Sequence, residues 1–421
     1  MKNFFFFPLI VFIFGCSSAS FSPSKKDLTS LSKSDITQVW IPLDANKLNL
    51  FDDGNAESLF QALQESIRYY KSQPNNKIPF VLNETNYPPK HLLGSLCLLE
   101  KIVKESTAKE IEPRLKENFD FFVPRENIAK MARATGYYTP TVKGSLARSR
   151  KFSVPVYAQP ADLKTLDLGL FRSNLKSRTV IYRLEKGEVL PYYSRKEINE
   201  GALRKKAKVL VWLEDKVDFY FLQVQGSGIV DLGGGKSFLL TYAGSNGADY
   251  LSIGNKIVQD GDLKPEEVSM QSIKQILKEN PNRMDEVLNY SPSYVFFDTN
   301  SKVDKIYGSL ALPLTAERSV AMDPNFYPKA MPIFIRTTIN NCTAEGICKP
   351  ESKYFQRIVF NQDSGGAIRG YGRIDLYFGR SAYAEAITGK LASPVEILLF
   401  LAKKESLEKQ KAALDTCTVG E

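Results

Sequence analysis

An unbroken apolar run from Phe4 to Phe14 follows one early cation, Lys2, and gives way at Ser17 to a polar stretch, SSASFSPSKKDLTSLSKS, ending at Ser34. The run is too short to cross a bilayer and predicts a signal-peptide core over 1–15. The Ser/Lys-rich stretch predicts a flexible tether over 16–35. Apolar positions then recur at helical spacing: Leu59, Leu63 and Ile67 behind a candidate cap at Asn55, and Leu92, Leu96, Leu99 and Val103 in the segment that begins near His91. From about Ala134 to Ala243 the period shortens. SVPVYA (Ser153–Ala158), TVIYRL (Thr179–Leu184), KVLVWLED (Lys208–Asp215), VDFYFLQVQ (Val217–Gln225) and SFLLTYAG (Ser237–Gly244) read as strands separated by glycine or charge. Short strands at this spacing predict an all-β barrel or sandwich. Helical patterns return at Pro265–Glu279 and Asn282–Leu288. SYVFF, MPIFIRTT, QRIVFNQD, GRIDLYFG and VEILLFLA then form a second strand-rich region, and KKESLEKQKAALD ends the chain as a charged helix. No internal repeat is visible. The pattern predicts a mainly β protein with accessory helices.

At 421 residues and 43% hydrophobic, the chain is long enough for two domains with real cores. Gly15 before Cys16 looks like a bacterial lipoprotein cleavage site, at which Cys16 becomes the lipidated first residue; plain secretion of a soluble product is the alternative, and either way the body is exported. Ser17, which is not aspartate, favours the outer membrane by resemblance to sorted lipoproteins. The expected location is the periplasmic face of the cell outer membrane in a Gram-negative-type envelope. Export permits disulfides among Cys97, Cys342, Cys348 and Cys417, which allow three connectivities. Cys342 and Cys348 close the short loop NCTAEGIC and form the favoured pair. Their spacing suits neither a redox motif nor a zinc knuckle, so no metal is expected.

The formal net charge of +9 suits an anionic polymer or a membrane surface, although dispersed solvating lysines give the same sum; nucleic acid is a poor partner for an exported chain. One histidine, His91, is present. A Ser-His-Asp triad, a Cys-His pair or a multi-histidine metal site would have to be built on that one imidazole, whereas carboxylate chemistry stays open.

Two glycine-rich motifs need weighing. QGSGIVDLGGGKS lacks glycine where a phosphate loop or a dinucleotide fingerprint needs it, and Gly233–Gly235 read as a hairpin turn. Asp363-Ser364-Gly365 resembles an aspartic-protease triplet. The second triplet such a dyad requires is missing, since Asp298-Thr299-Asn300 has no glycine. In GRIDLYFG, alternation puts Ile374 and Leu376 on one face and Arg373, Asp375 and Tyr377 on the other. Gly370, Gly372 and Gly379 allow close backbone approach. An acid beside a tyrosine suits glycosidic cleavage, where a carboxyl group of raised pKa protonates the exocyclic oxygen. Turn capping, or pairing of Asp363 and Asp375 with Arg369 and Arg373, accounts for the same pattern, and the residues alone leave both open.

In their order along the chain, TGYYTP, SRKEINEGAL, QVQGSG, YAGSNGADYLSIGNKIVQDG, SMQSIKQ, NYSPSYVFF, ERSVAMDPNFYP and NQDSGGAIRGYGRIDLYFG resemble the membrane-bound lytic transglycosylase A family of murein-cleaving lipoproteins. The likeness covers about residues 134 to 380. It implies a double-psi β-barrel domain (36–141 plus 291–403, with the N-terminal helices) interrupted by an inserted β-barrel domain (142–290), a glycan cleft between them and a helical tail (404–421). GYYTP and SPSYVFF would be the paired crossings. The family's three-aspartate module maps onto Asp323, Asp363 and Asp375, with Asp375 as catalytic acid and the other two supporting it. The implied activity is cleavage of the β-1,4 MurNAc–GlcNAc bond of peptidoglycan with formation of a 1,6-anhydro ring and no cofactor, and other cell-wall enzymes are candidate partners. Like-charge proximity to Asp363 is one expected source of a raised Asp375 pKa. Gln223, Gln225, Ser227, Tyr242, Tyr138 and Thr139 are candidate glycan contacts, because amides and hydroxyls bond sugar hydroxyls and tyrosines stack on sugar faces. The alternatives are a non-catalytic peptidoglycan-binding lipoprotein, and an inverting glycoside hydrolase using Asp363 and Asp375 around a water.

Overall fold

The computed structural model describes residues 40–73, 76–125, 132–175, 178–410 and 417. The leader, Cys16 and the tether therefore lie outside the described residues, as does most of the tail beyond the helix Lys404–Lys409.

Six strands close the first barrel. Around the ring they are Arg133–Tyr137, Ala392–Ala402, Pro332–Cys342, Cys348–Asp363, Ser319–Ala321 and Arg373–Tyr377, which pairs back onto Arg133–Tyr137. Two parallel pairings, Ser319–Ala321 with Cys348–Asp363 and Arg373–Tyr377 with Arg133–Tyr137, interrupt otherwise antiparallel neighbours. Trp40–Leu43 and Phe119–Pro124 extend the sheet off Ala392–Ala402. That strand is buried continuously from Ile397 to Ala402 because its outer face is covered as well. The helix Pro89–Glu105 is among the elements packed on it.

A second ring of six forms the inserted domain: Val295–Asn300, Lys236–Ser245, Gly228–Gly233, Thr141–Ser145, Val209–Leu213 and Val154–Tyr157. A bridge between Ala158 and Phe297 joins its two ends. Gly233, Gly234 and Gly235 turn the hairpin with φ of +78°, +61° and +74°, which L side chains avoid. The last strand of this ring lies beyond residue 290, so the second barrel reaches past the boundary read from the sequence; pairing with Lys236–Ser245 draws Val295–Asn300 into it.

One expected strand is a helix. Lys216–Gln225 begins where the Asp215 carboxylate accepts from the Val217 and Asp218 amides, and it stops at Gly226, whose φ is +82°. Its residues read as β because the helix is apolar on two sides. Val217, Tyr220 and Phe221 pack into the main core, while Phe219 and Leu222 pack into the core of the inserted barrel. A helix buried between two cores shows no single apolar stripe.

The helix Ala56–Lys71 starts at Asn55, whose side chain accepts from the Ser58 amide at 2.7 Å. Two buried polar side chains lock this region to the first barrel. Arg318, 0% exposed, donates to both Asp52 oxygens (2.6 and 2.8 Å), to the Ile358 and Asn55 carbonyls and to Ser58 Oγ. Gln362 donates to the Ala62 carbonyl and Ser66 Oγ and accepts from Ser319 Oγ. Cys342 and Cys348 are bonded across the tip of the long hairpin, and Cys97 is bonded to Cys417, which ties the second helix to the C-terminal residues.

A buried guanidinium with all its donors used is stabilising only while its partners stay in place. Arg318→Met leaves Asp52 without its partner and is expected to cost about 3 kcal/mol, read as a lowered urea midpoint. Asp52→Asn in the same chain should recover part of that loss. An unchanged midpoint in Arg318→Met would remove this contact from the supports of the fold.

Candidate active site

The strand Arg373–Tyr377 lies between Ser319–Ala321, antiparallel, and Arg133–Tyr137, parallel. Ile374 and Leu376 are fully buried, as the alternation predicts, and Asp375 is half-buried on the other face. The register sets Thr135 opposite Asp375. Thr135 Oγ1 donates to Asp375 Oδ1 at 2.7 Å and accepts a longer bond, 3.4 Å, from Arg373 Nη2. Asp375 Oδ2 accepts no hydrogen bond from a described residue. Burial is the main influence on this carboxyl and pushes its pKa from 3.8 up to about 6. The Thr135 hydrogen bond and the Arg373 charge pull it down, and Asp363 adds only the last upward contribution. Desolvation, rather than the like charge expected from the sequence, therefore dominates.

Asp363 is held differently. Oδ1 accepts from the Ser309 and Ser364 amides, both at 2.8 Å, and Oδ2 accepts from the Tyr137 hydroxyl at 2.7 Å. Asp363 and Asp375 are both in register with Ala321, on strands either side of it, so their backbones are roughly 9–10 Å apart. With three donors fixed on it, Asp363 is a hub for the surrounding loops. Asp323 is 2% exposed. Its Oδ1 accepts from the Asn325 amide and side chain, and its Oδ2 accepts from the Gly370 amide at 2.9 Å. It thereby ties down the loop that joins the Asp363 and Asp375 strands.

Tyr137 leads from Asp363 to the second barrel. Its ring lies 5.2 Å from that of Tyr377, whose hydroxyl is 3.0 Å from Thr139 Oγ1. Tyr377 packs with Ile229 and Leu239 of the inserted barrel and with Ile306 of the returning connection, and Tyr137 sits against this cluster. Asp375 is thus two positions along its strand from the apolar seam between the barrels.

The six candidate glycan contacts separate into three groups. Gln223 is 3% exposed, accepts from Arg195 Nη1 and donates to the Val295 carbonyl, so its amide is used inside the protein. Tyr138 and Thr139 are buried as well, in the crossing between barrels. Gln225 Oε1 accepts from the Tyr138 amide, which leaves its Nε2 for a ligand. Ser227 is half-buried and Tyr242 is exposed on the inserted barrel. Two residues absent from the sequence-based candidates, Thr135 and Tyr137, donate directly to the acids, and Arg373, weighed from the sequence as an ion-pair partner, reaches Asp375 through Thr135 Oγ1. Period-two spacing was the available signal, since Thr135 and Tyr137 share a face and run beside Asp375 and Tyr377.

His91 stands elsewhere. Its Nε2 lies 2.9 Å from the Ala402 carbonyl, and burial lowers its pKa. Ala402 is ten positions along its strand from Ala392, the partner of Thr135, which puts the imidazole about 30 Å from Asp375. Among the described residues, no group of three His, Cys, Asp or Glu side chains converges as a metal site.

The MltA specific insert domain matches residues 133–298, and the 3D domain matches residues 318–401. Membrane-bound lytic murein transglycosylase A of Escherichia coli strain K12 is 31% identical over 249 residues, 58% of this chain and 59% of its own length. The chain spans about three-fifths of the length of the curated relatives it matches. In three dimensions it is similar to the membrane-bound lytic murein transglycosylase from Agrobacterium tumefaciens, with TM-score 0.71, 22% identity and coverage of 88% of this chain and 99% of the other. It is also similar to E. coli MltA with bound chitohexaose, with TM-score 0.62, 22% identity and coverage of 87% and 95%. The two domain matches together take in more than half of the chain, the second contains Asp323, Asp363 and Asp375, and with these relatives they show that the chain belongs to the membrane-bound lytic murein transglycosylase A family.

Proposed function

We propose that this chain is a peptidoglycan lytic transglycosylase that cleaves the β-1,4 bond between N-acetylmuramic acid and N-acetylglucosamine and leaves 1,6-anhydromuramic ends. The observation that carries the reading is Asp375: a half-buried carboxyl raised to about 6, oriented by Thr135 and with one oxygen free. The names of the similar proteins, and the chitohexaose bound to one of them, agree with a glycan substrate. In the first half of the reaction Asp375 gives its proton to the bridging oxygen as the C1–O bond breaks. In the second half the C6 hydroxyl of the same sugar attacks C1, and the carboxylate takes the hydroxyl proton. One bond breaks, one forms, the acid is regenerated and no water is consumed. Tethering the nucleophile to the reacting ring removes the need for the second carboxylate that a hydrolase uses. Asp363 suits that second role poorly, because activating a water would compete with three donors already fixed on it.

Asp323 and Asp363 act as positioning residues through the loops they bind, and Gln225, Ser227 and Tyr242 are the remaining glycan contacts. Cys16 carries the lipid that holds the enzyme on the periplasmic face of the outer membrane. Among the described residues, no helix is long and apolar enough to cross a membrane.

Digestion of purified sacculi is expected to release muropeptides with anhydro ends, identified by mass spectrometry; reducing ends would make the protein a hydrolase. Asp375→Asn should lower release by about 10²-fold or more while sacculus binding persists. Retained turnover would move the chemistry to another residue.

The raised pKa fixes two pH dependences. The acid form is required at the start, so the rate should fall as pH rises through about 6. Thr135→Ala removes a bond that favours the carboxylate and should move that descending limb to higher pH, whereas Thr135→Ser should keep it in place. An aspartate with a folded pKa raised above 3.8 gives stability that is full below 3.8 and lost as pH rises through about 6. The melting temperature of Asp375→Asn relative to the parent chain should accordingly climb across that window and level off above it. A flat difference would contradict the burial assigned to Asp375.

A further inference from the structure

Beside the inserted barrel stands a separate three-stranded sheet, Lys164–Asp167, Thr179–Glu185 and Glu188–Pro191, in which the middle strand pairs with both others. Residues paired across strands share a face, so Val180, Tyr182 and Leu184 lie on one side with Leu166 and Val189. The opposite side is committed to the body of the protein. Ile181 packs on the barrel core against Gly247, where a Cβ would approach it to 2.5 Å, and the Arg183 guanidinium lies 4.1 Å over the Tyr193 ring. On the outer side Leu184 is 60% exposed, Val189 59% and Val180 40%, while Leu166 and Tyr182 are half-buried. In the turn that follows the first strand, Leu170 is 82% exposed and Phe171 69%. A cluster of this kind on one element marks an interaction surface.

Charge selects the partner. Lys164, Arg172, Arg178 and Lys186 are exposed around this face, and none forms an ion pair with a described residue. The acids of the same element are turned away from it or engaged. Glu185 and Glu188 oppose each other on the inner side, and Asp167 accepts from the Gly169 amide. Glycan is gripped by aromatic platforms and amides, whereas this face offers mostly aliphatic side chains, with the exposed Phe171 ring and a half-buried Tyr182, inside a cationic rim. Aliphatic insertion plus unpaired cations is the chemistry of an anionic phospholipid surface.

We infer that the outer face of this sheet, with the Leu170–Phe171 turn at its edge, docks on an anionic phospholipid leaflet. The inference rests on the membrane attachment proposed above and adds an orientation to it. The 24 residue steps from Cys16 to Trp40 span at most ~86 Å when extended, so a lipid on Cys16 restrains distance and leaves attitude free. A second contact on the inserted barrel fixes how the Asp375 cleft faces the wall.

The test uses the full lipidated chain carrying Phe171→Trp in vesicles of phosphatidylethanolamine and phosphatidylglycerol, with or without brominated acyl chains. Bromolipid should reduce the added indole emission about twofold. The reduction should vanish in Arg172→Glu/Arg178→Glu, at raised salt, or when phosphatidylcholine replaces the phosphatidylglycerol, with turnover of soluble glycan unchanged. A chain that sediments with vesicles but shows no quenching overturns the docking face alone. A chain that does not sediment at all overturns the attachment as well. Concentration-dependent dimerisation that Leu170→Ser/Phe171→Ser abolishes would assign the face to a second copy and also overturn the proposal.

Discussion

The first barrel closes on one parallel pairing, Arg133–Tyr137 against Arg373–Tyr377, between segments 240 residues apart in the chain. Everything at the site depends on its register. A shift of one residue would turn Thr135 away from Asp375 and Tyr137 away from Asp363, because neighbouring side chains point to opposite faces. The intervening chain must leave after Tyr137 and return before Ser319, and it uses that length to build the second barrel. Insertion and candidate site thus follow from the same closure. The seam formed by Tyr137, Tyr377, Ile229, Leu239 and Ile306 then couples the two barrels at the point where the acids lie.

Most strands were legible as runs of β-branched and aromatic residues, and the Asn55 cap and Gly233–Gly235 turn as local chemistry. What failed was long-range. The helix Lys216–Gln225 carries Val, Phe and Tyr because it fills the space between two cores, so its local preference is overridden by burial on both sides. Gln223 has the chemistry of a sugar-binding amide, yet it serves Arg195 and Val295, partners that no local pattern could reveal. Tyr138 and Thr139 are buried in the crossing, whereas Thr135 and Tyr137 of the same motif meet the acids, and the long-range pairing that decides this leaves no local signature.

The N-terminal helices are part of the same machine. Gln362, which holds Ala62 and Ser66, directly precedes Asp363, and Arg318, which holds Asp52, directly precedes the strand shared by both acids. A carboxylate that must present one oxygen within a few tenths of an ångström needs a rigid backbone behind it. Buried polar groups with defined partners specify one seating of helix on barrel more sharply than an apolar contact can.

A single acid that later works as a base requires a pKa near the working pH, since a much stronger acid would hold no proton and a much weaker one would not release it. Two routes lead there. A neighbouring carboxylate raises the pKa but adds a charge that then has to be neutralised whenever substrate enters. Burial raises it without adding a charge, and the barrel strand supplies burial through its own closure. Asp363, which stands near enough to repel, has its charge answered by two backbone amides and a tyrosine hydroxyl, and it is the last of the influences that raise the pKa of Asp375. The same tyrosine packs in the seam with the second barrel, so the group that quiets the neighbouring charge also ties the acids to the junction of the two barrels.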